Sequence, residues 1–225
     1  MIIHRIYGFF MRRFRPARAA AIAAAFPVLK DPGAAVLDVG GGAWPWCELN
    51  AAARVTILNV APARNPPADS PWLFVQGDGT RLEYADKAFD LVFSNSVIEH
   101  VGDWESQRRF AGEMLRCGKQ IYCQTPNKWF FVEPHLIAPF LHWLPFRLTR
   151  KLVRWCSIWG IVNRPSQAAI DEFLKGIRLL SCKDIVLLFP GCDISRERFL
   201  GMTKSFVVTR IADSRLRHDM LAGGQ

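Results

Sequence analysis

Ala35-Val36-Leu37-Asp38-Val39-Gly40-Gly41-Gly42 decides how this chain folds. A short apolar run enters three glycines without the polar alternation of a half-exposed strand. That is the pattern of a parallel strand covered on both faces. The glycines let the backbone turn tightly and approach a ligand, and a helix expected across Trp46–Ala53 offers free amides to a carboxylate. Asp38, just before the turn, can take an amino group. Together the acid and the amides suit the amino-acid end of a zwitterion. A dinucleotide fingerprint G-x-G-x-x-G counted from Gly40 places Pro45 at the third glycine and is disfavoured. The Gly-Lys-Ser/Thr ending of a phosphate loop is absent.

Further strands are expected at Val55–Val60, Trp72–Val75, Phe89–Asn95 and Gln120–Gln124. A Pro-rich loop through Pro71 precedes the third strand, and Gly77-Asp78-Gly79 ends it. Asp103 is a helix cap, and its helix runs to about Arg116 before Gly118. Pro165-Ser166 opens another helix to about Leu180. Ile185–Phe189 and Ser205–Ile211 read as a final antiparallel pair. Residues 2–26 read as helical, in two pieces separated by Pro16. The alternation predicts an α/β fold: a doubly wound, mostly parallel seven-stranded sheet with a terminal antiparallel strand. Such sheets bind ligands at the carboxyl ends of their strands. We read 1–225 as one domain, with 1–30 as a basic helical extension and 127–164 as an aromatic and basic cover on the substrate side.

The 225 residues are half hydrophobic and carry a formal charge of +9. Residues 1–30 and the stretch Pro134–Ile170 hold arginines, lysines and large aromatics without an acid. Basic with aromatic suits an anionic membrane surface, an acidic substrate or nucleic acid; no recognisable nucleic-acid module appears, so membrane contact is favoured. The same composition also describes a solvated basic face. Six cysteines without a CxxC pair or metal-type spacing to the five histidines suggest a reduced, cytoplasmic protein, no metal, and thiols that serve as small core residues. No window reaches the roughly 20 apolar residues of a spanning helix. The acid-free amino terminus also resembles an organelle transit peptide.

Phe89-Asp90-Leu91-Val92-Phe93-Ser94-Asn95-Ser96-Val97-Ile98-Glu99-His100-Val101 completes the series. With Val36–Gly42, Val55–Val60, Phe74–Asp78, Met114-Leu115-Arg116 and Ile121–Thr125 in this order, the chain resembles the class I S-adenosylmethionine-dependent methyltransferases, in the small-molecule branch related to ubiquinone-type enzymes. The resemblance is specific over residues 33–126. It implies that Asp38, Gly40 and Gly42 hold the methionine end of S-adenosylmethionine, the cofactor that leaves as S-adenosylhomocysteine. It places Asp78 and Gly79 at the adenine, and Ser94 and Asn95 beside the sulfonium. It puts His100 on the substrate side, where a histidine is the natural general base for a hydroxyl acceptor; simple packing of the short helix is the alternative role.

Two positions depart from the family pattern. Asn59 stands where an acid commonly grips the ribose, and Trp44 where a further glycine is common. Asn cannot offer a bidentate carboxylate. These changes keep two other readings open: a methyltransferase-like binding module without turnover and, from the charge, an RNA methyltransferase. In the cover, Asn127, Glu133, His135 and His142 are the polar residues expected to meet a small-molecule, glycan or lipid-linked acceptor, or else to satisfy an aromatic packing unit.

Overall fold

The computed structural model describes residues 15–62 and 70–211; the Phe/Arg-rich stretch 1–14, residues 63–69 and the tail 212–225 lie outside the described residues. Residues 15–25 form a helix, α1, so the piece after Pro16 is helical as expected. Then follow β1 (Ala35–Val39), α2 (Trp46–Leu49), β2 (Arg54–Asn59), β3 (Leu73–Gln76), β4 (Phe89–Asn95), α3 (Trp104–Cys117) and β5 (Gly118–Pro126). A two-stranded ribbon, β6 (Val132–Glu133) and β7 (Ala138–Pro139), leads into α4 (Phe146–Cys156), α5 (Ile158–Asn163), α6 (Gln167–Lys175) and α7 (Cys182–Leu188). The hairpin β8 (Asp193–Phe199) and β9 (Met202–Arg210) ends the described chain.

The seven strands are ordered β3-β2-β1-β4-β5-β9-β8. The first five are mutually parallel, whereas β9 runs antiparallel to both β5 and β8. The chain direction along the sheet reverses between β1 and β4, and their carboxyl ends open the crevice that a doubly wound sheet uses for ligands. The register Pro126↔Ser205 and Glu197↔Ser205 brings the last hairpin to that same edge.

Period-two alternation divides the sheet between two cores. Leu37, Val39, Val92, Ile121 and Cys123 face Phe110 and Met114 of α3 and Ile185 of α7. Val36, Ile57, Leu91, Phe93 and Tyr122 face Ile22 of α1 and Trp46 of α2. Covering both faces is why the strands read as continuous apolar runs. α3 starts as expected, with the Asp103 carboxylate accepting from Ser106 N at 2.9 Å.

The end of the sequence differs from expectation. Ile185–Phe189 is not a strand; most of it lies in α7. Ser181 and Asp184 form a reciprocal capping box, with Ser181 N donating to Asp184 Oδ2 at 2.8 Å and Asp184 N to Ser181 Oγ at 3.2 Å. Ile185 and Leu188 then bury one helical face, leaving Val186 and Leu187 54% and 70% exposed. The sixth strand that the chain adds to the seven-stranded sheet is instead the polar edge segment Asp193–Phe199, whose side chains only partly face the core. The helix after Ser166 is also shorter, stopping at Lys175 before Gly176. The helix after the glycine turn is one turn long and closes at Asn50, whose φ is 45°. Of the six cysteines, only Cys117 and Cys123 are buried, so the core role holds for two.

Candidate active site

At the end of β1, Asp38 is fully buried. Its Oδ2 accepts from Trp46 Nε1 at 2.7 Å, while Oδ1 is buried without a partner. Burial pushes the carboxyl up to about 8, against the opposing pull of the Trp46 hydrogen bond. The glycines fit around this acid. A Cβ on Gly41 would lie 1.8 Å from Asp38 Oδ2, and one on Gly40, whose φ is 79°, would lie 2.5 Å from Val97 Cγ1. Nothing lies within 4 Å of a Cβ built on Gly42, so that side of the turn is open. Asn59, at the end of β2, donates from Nδ2 to Gly41 O at 3.0 Å and braces the turn.

Asp78 is exposed beyond β3, and its Oδ1 accepts from Thr80 N at 2.8 Å and Thr80 Oγ1 at 2.9 Å. Gly79 is buried, with room for no side chain between Phe110 and Val39. Ser94 is also buried, and its hydroxyl donates to Val39 O at 3.0 Å, tying β4 to β1. Asn95, the next residue, turns instead toward a cavity.

That cavity, about 400 Å³, lies over the ends of β4, β5 and β9. Its walls are chiefly apolar, with Phe130, Phe131 and Ile137 from the cover and Phe199 from the hairpin. Polar atoms enter from Asn95, Asn127, His135 and Arg18. Trp44, the residue in the glycine position, also lines it, with Arg15 stacked 5.0 Å above its ring. Trp44 therefore stands beside the turn and forms part of the neighbouring cavity wall. Of the four polar cover residues, Asn127 and His135 line this cavity. Asn127 also donates to Thr203 O at 2.8 Å and accepts from Trp129 N at 3.1 Å. Glu133 sits behind His135, and His142 lies outside the lining, its Nε2 3.0 Å from Lys128 O.

His100 and His135 meet edge to face, Nε2 to Nε2 at 2.9 Å. His135 Nδ1 donates to Glu133 Oε1 at 2.6 Å, and Glu133 Oε2 accepts from Leu136 N. Partial desolvation and the neighbouring His135 push His100 down to about 4, so its ring is neutral near neutral pH. Burial alone would lower His135, but the Glu133 hydrogen bond and charge outweigh it and raise the ring above its ordinary value. Beside them Glu99 is fully buried, accepting from Thr125 Oγ1 at 2.9 Å through one oxygen.

Sequence reasoning missed Arg18. Its guanidinium reaches across from α1 to pair with Glu197 of β8, at 2.7 and 2.5 Å, and donates to Asn95 Oδ1 at 3.0 Å. No local signal distinguishes Arg18 from the other arginines of the amino-terminal region; the partner is 179 positions away.

A buried acid beside a glycine turn, at the switch point of a sheet ordered β3-β2-β1-β4-β5-β9-β8, defines a class I methyltransferase fold. The chain belongs to the methyltransferase-domain family, whose model matches residues 11–163. An uncharacterised methyltransferase of Mycobacterium marinum is 36% identical over 92 residues, covering 37% of this chain and 34% of its own. The chain thus matches about a third of that curated relative's length. A methyltransferase structure from Mesorhizobium loti aligns over 84% of this chain and 95% of its own, with TM-score 0.52 and 15% identity. The Burkholderia thailandensis 1,6-didemethyltoxoflavin-N1-methyltransferase, solved with 1,6-didemethyltoxoflavin and S-adenosylhomocysteine, aligns over 93% of this chain and 84% of its own, with TM-score 0.53 and 17% identity.

Proposed function

We propose that this chain is a single-domain enzyme that transfers the methyl group of S-adenosylmethionine to a small, largely apolar acceptor seated in the 400 Å³ cavity. The observation that carries the reading is the unpartnered, buried Asp38 oxygen on an open glycine turn. A buried acceptor atom without a donor costs stability, and an ammonium would satisfy it. Asp38 and the amides of the Gly40–Gly42 turn would hold the methionine end, Asn59 the ribose, and Asp78 with Gly79 the adenine. S-adenosylmethionine supplies an already activated methyl, so the protein's work is alignment and exclusion of water. The apolar walls suit a flat or hydrocarbon-rich acceptor, and Arg18 with Asn127 suit an oxygen-bearing end. Where the accepting atom carries a proton, the paired imidazoles of His100 and His135, backed by Glu133, are the groups placed to take it.

Calorimetric titration with S-adenosylmethionine and S-adenosylhomocysteine tests this. Saturable binding that Asp38→Ala removes from a folded protein supports it. Absence of binding in folded wild type refutes it, and binding with no turnover across an acceptor screen selects the binding-module reading.

A second observation bears on where the acceptor comes from. Trp143, Phe146, Leu148, Leu152, Trp155 and Ile161 are exposed on α4, α5 and the turn before them, with Arg147 and Lys151 beside them. No described helix is long and apolar enough to cross a membrane. We infer that this face rests on the anionic inner surface of a membrane from the cytoplasmic side and admits lipid-linked or lipid-soluble acceptors. Each cation there adds about 1 kcal/mol. Trp155→Ala with Leu148→Ala should reduce sedimentation with phosphatidylserine vesicles; equal sedimentation of the variant removes the idea.

A further inference from the structure

We propose that Glu99, His100 and His135 form a binding site for a divalent transition cation of the zinc type at the wall of the acceptor cavity. The donor atoms of the three side chains all lie within 4.8 Å of one another. Two imidazoles and one carboxylate are a donor set that holds zinc in hydrolytic sites while leaving a further coordination position for water or substrate. The same set suits manganese or ferrous iron, so the chemical class is a divalent cation that accepts nitrogen and oxygen donors.

Three features go beyond proximity. First, Glu99 Oε1 is fully buried and has no hydrogen-bond partner, while Oε2 is occupied by Thr125. A buried carboxylate oxygen without a donor is expensive to keep unless something else satisfies it. Second, His135 is oriented as metal-binding histidines are. Its Nδ1–H is held by Glu133, which leaves Nε2 as the lone-pair nitrogen pointing at the cluster, and Glu133 is itself pinned by Leu136 N. Third, the two Nε2 atoms face each other at 2.9 Å. Without an ion they must share a proton. Around a tetrahedral ion with bonds of about 2.0 Å, two ligand nitrogens lie about 3.3 Å apart, so a few tenths of an ångström exchange that proton for a cation.

The sequence hides this site. Glu99 and His100 are adjacent on the short turn Ile98–His100, but His135 arrives 35 residues later on the loop between β6 and β7. The expectation of no metal rested on spacing along the chain, which cannot register that meeting.

His135 also lines the acceptor cavity, so an ion on these three residues would stand next to the acceptor. This deepens the methyl-transfer reading and rests on it for its role alone: an acceptor hydroxyl bound to the ion has a lowered pKa and gives its proton to solvent water before the methyl arrives, so the imidazoles act as ligands and not as the base. The binding claim stands without that role.

The test is titration of the purified full-length chain with Zn²⁺ by calorimetry and with Co²⁺ by visible absorption, each sample also titrated with S-adenosylhomocysteine. One equivalent should bind, with a cobalt spectrum of nitrogen and oxygen ligands and without thiolate charge transfer from the exposed Cys47 and Cys156. His100→Ala changes an exposed residue and should fold, yet weaken Zn²⁺ at least about tenfold; Glu133→Gln should weaken it about 10- to 100-fold through His135. S-adenosylhomocysteine affinity should stay unchanged in both. Zn²⁺ binding that is equal in wild type, His100→Ala and His135→Ala, or a thiolate spectrum, overturns the site. Retained S-adenosylhomocysteine binding with no metal binding overturns the site alone; metal binding without S-adenosylhomocysteine binding overturns the cofactor reading alone.

Discussion

Replacing Asp38 by Asn should change how stability depends on pH, by an amount the buried carboxyl fixes. In the folded chain this group titrates at about 8 because burial disfavours its charge. Unfolded, an aspartate titrates at about 3.9. Between those values the unfolded chain releases a proton that the folded chain keeps, so raising the pH favours unfolding. Stability from this group is present below the lower value and is lost progressively up to the higher one. Integrated from about pH 5 to about pH 8, the loss is about 3 to 4 kcal/mol. Asn keeps an oxygen for Trp46 Nε1 and does not titrate. Urea unfolding across that range should therefore show the wild type losing about 3 to 4 kcal/mol more than Asp38→Asn. Parallel curves would refute the claim that Asp38 is held neutral. Cofactor binding should show the complementary effect. An ammonium beside Oδ1 favours the carboxylate, so S-adenosylmethionine binding near neutral pH should expel close to one proton in the wild type and none in the variant. Calorimetry in buffers of different ionisation enthalpy counts it.

Arg18→Met should cost roughly 2 to 4 kcal/mol, because Glu197 is left in a half-buried place without its cation; adding Glu197→Gln should restore part of the loss in thermal melts. Asp78→Ala touches an exposed side chain that holds only Thr80, so chemical denaturation should shift by about 0.5 kcal/mol or less, while S-adenosylhomocysteine affinity falls clearly. Gly40→Ala combines a φ of 79° with a collision against Val97, and should either displace the turn and abolish cofactor binding or destabilise the fold by about 2 kcal/mol. His100→Ala should lower turnover about a hundredfold with cofactor affinity intact, measured by a methyl-transfer assay once an acceptor is in hand.

Much of the fold was legible because buried parallel strands carry their own signature. Ala35–Val39 and Phe89–Asn95 were readable to the residue, since both faces are covered and the glycine turn or the Asp103 cap fixes the next element. The terminal region was not. Ile185–Phe189 has the composition of a strand, and only the Ser181–Asp184 box shows that it enters the core as a helix. β8 escaped notice because an edge strand of Asp, Ser, Arg and Glu lacks apolar alternation. In the candidate site, Asp38 and the glycines stand out because acid and tight turn coincide in one short stretch. In the sequence His135 is one of four polar residues in an aromatic segment, and its pairing with His100 exists only through the β6–β7 ribbon. Asn59 departs from the family pattern, yet its amide has a use a carboxylate could not serve, donating to Gly41 O.

The contact between Arg18 and Glu197 has a consequence for biosynthesis. The 400 Å³ cavity borrows one wall from α1 and another from the final hairpin, joined by partners 179 positions apart. Contacts of that sequence separation are the slowest to close. On the ribosome, β1 to β5 and the glycine turn can assemble with α1 against them, Arg18 then holding Asn95 but lacking the charge of Glu197. The cavity is finished only when the hairpin has emerged and β9 has inserted beside β5. A chain stalled or cleaved before Glu197 would keep Asp38 and the glycine turn and lack the hairpin wall that completes the cavity.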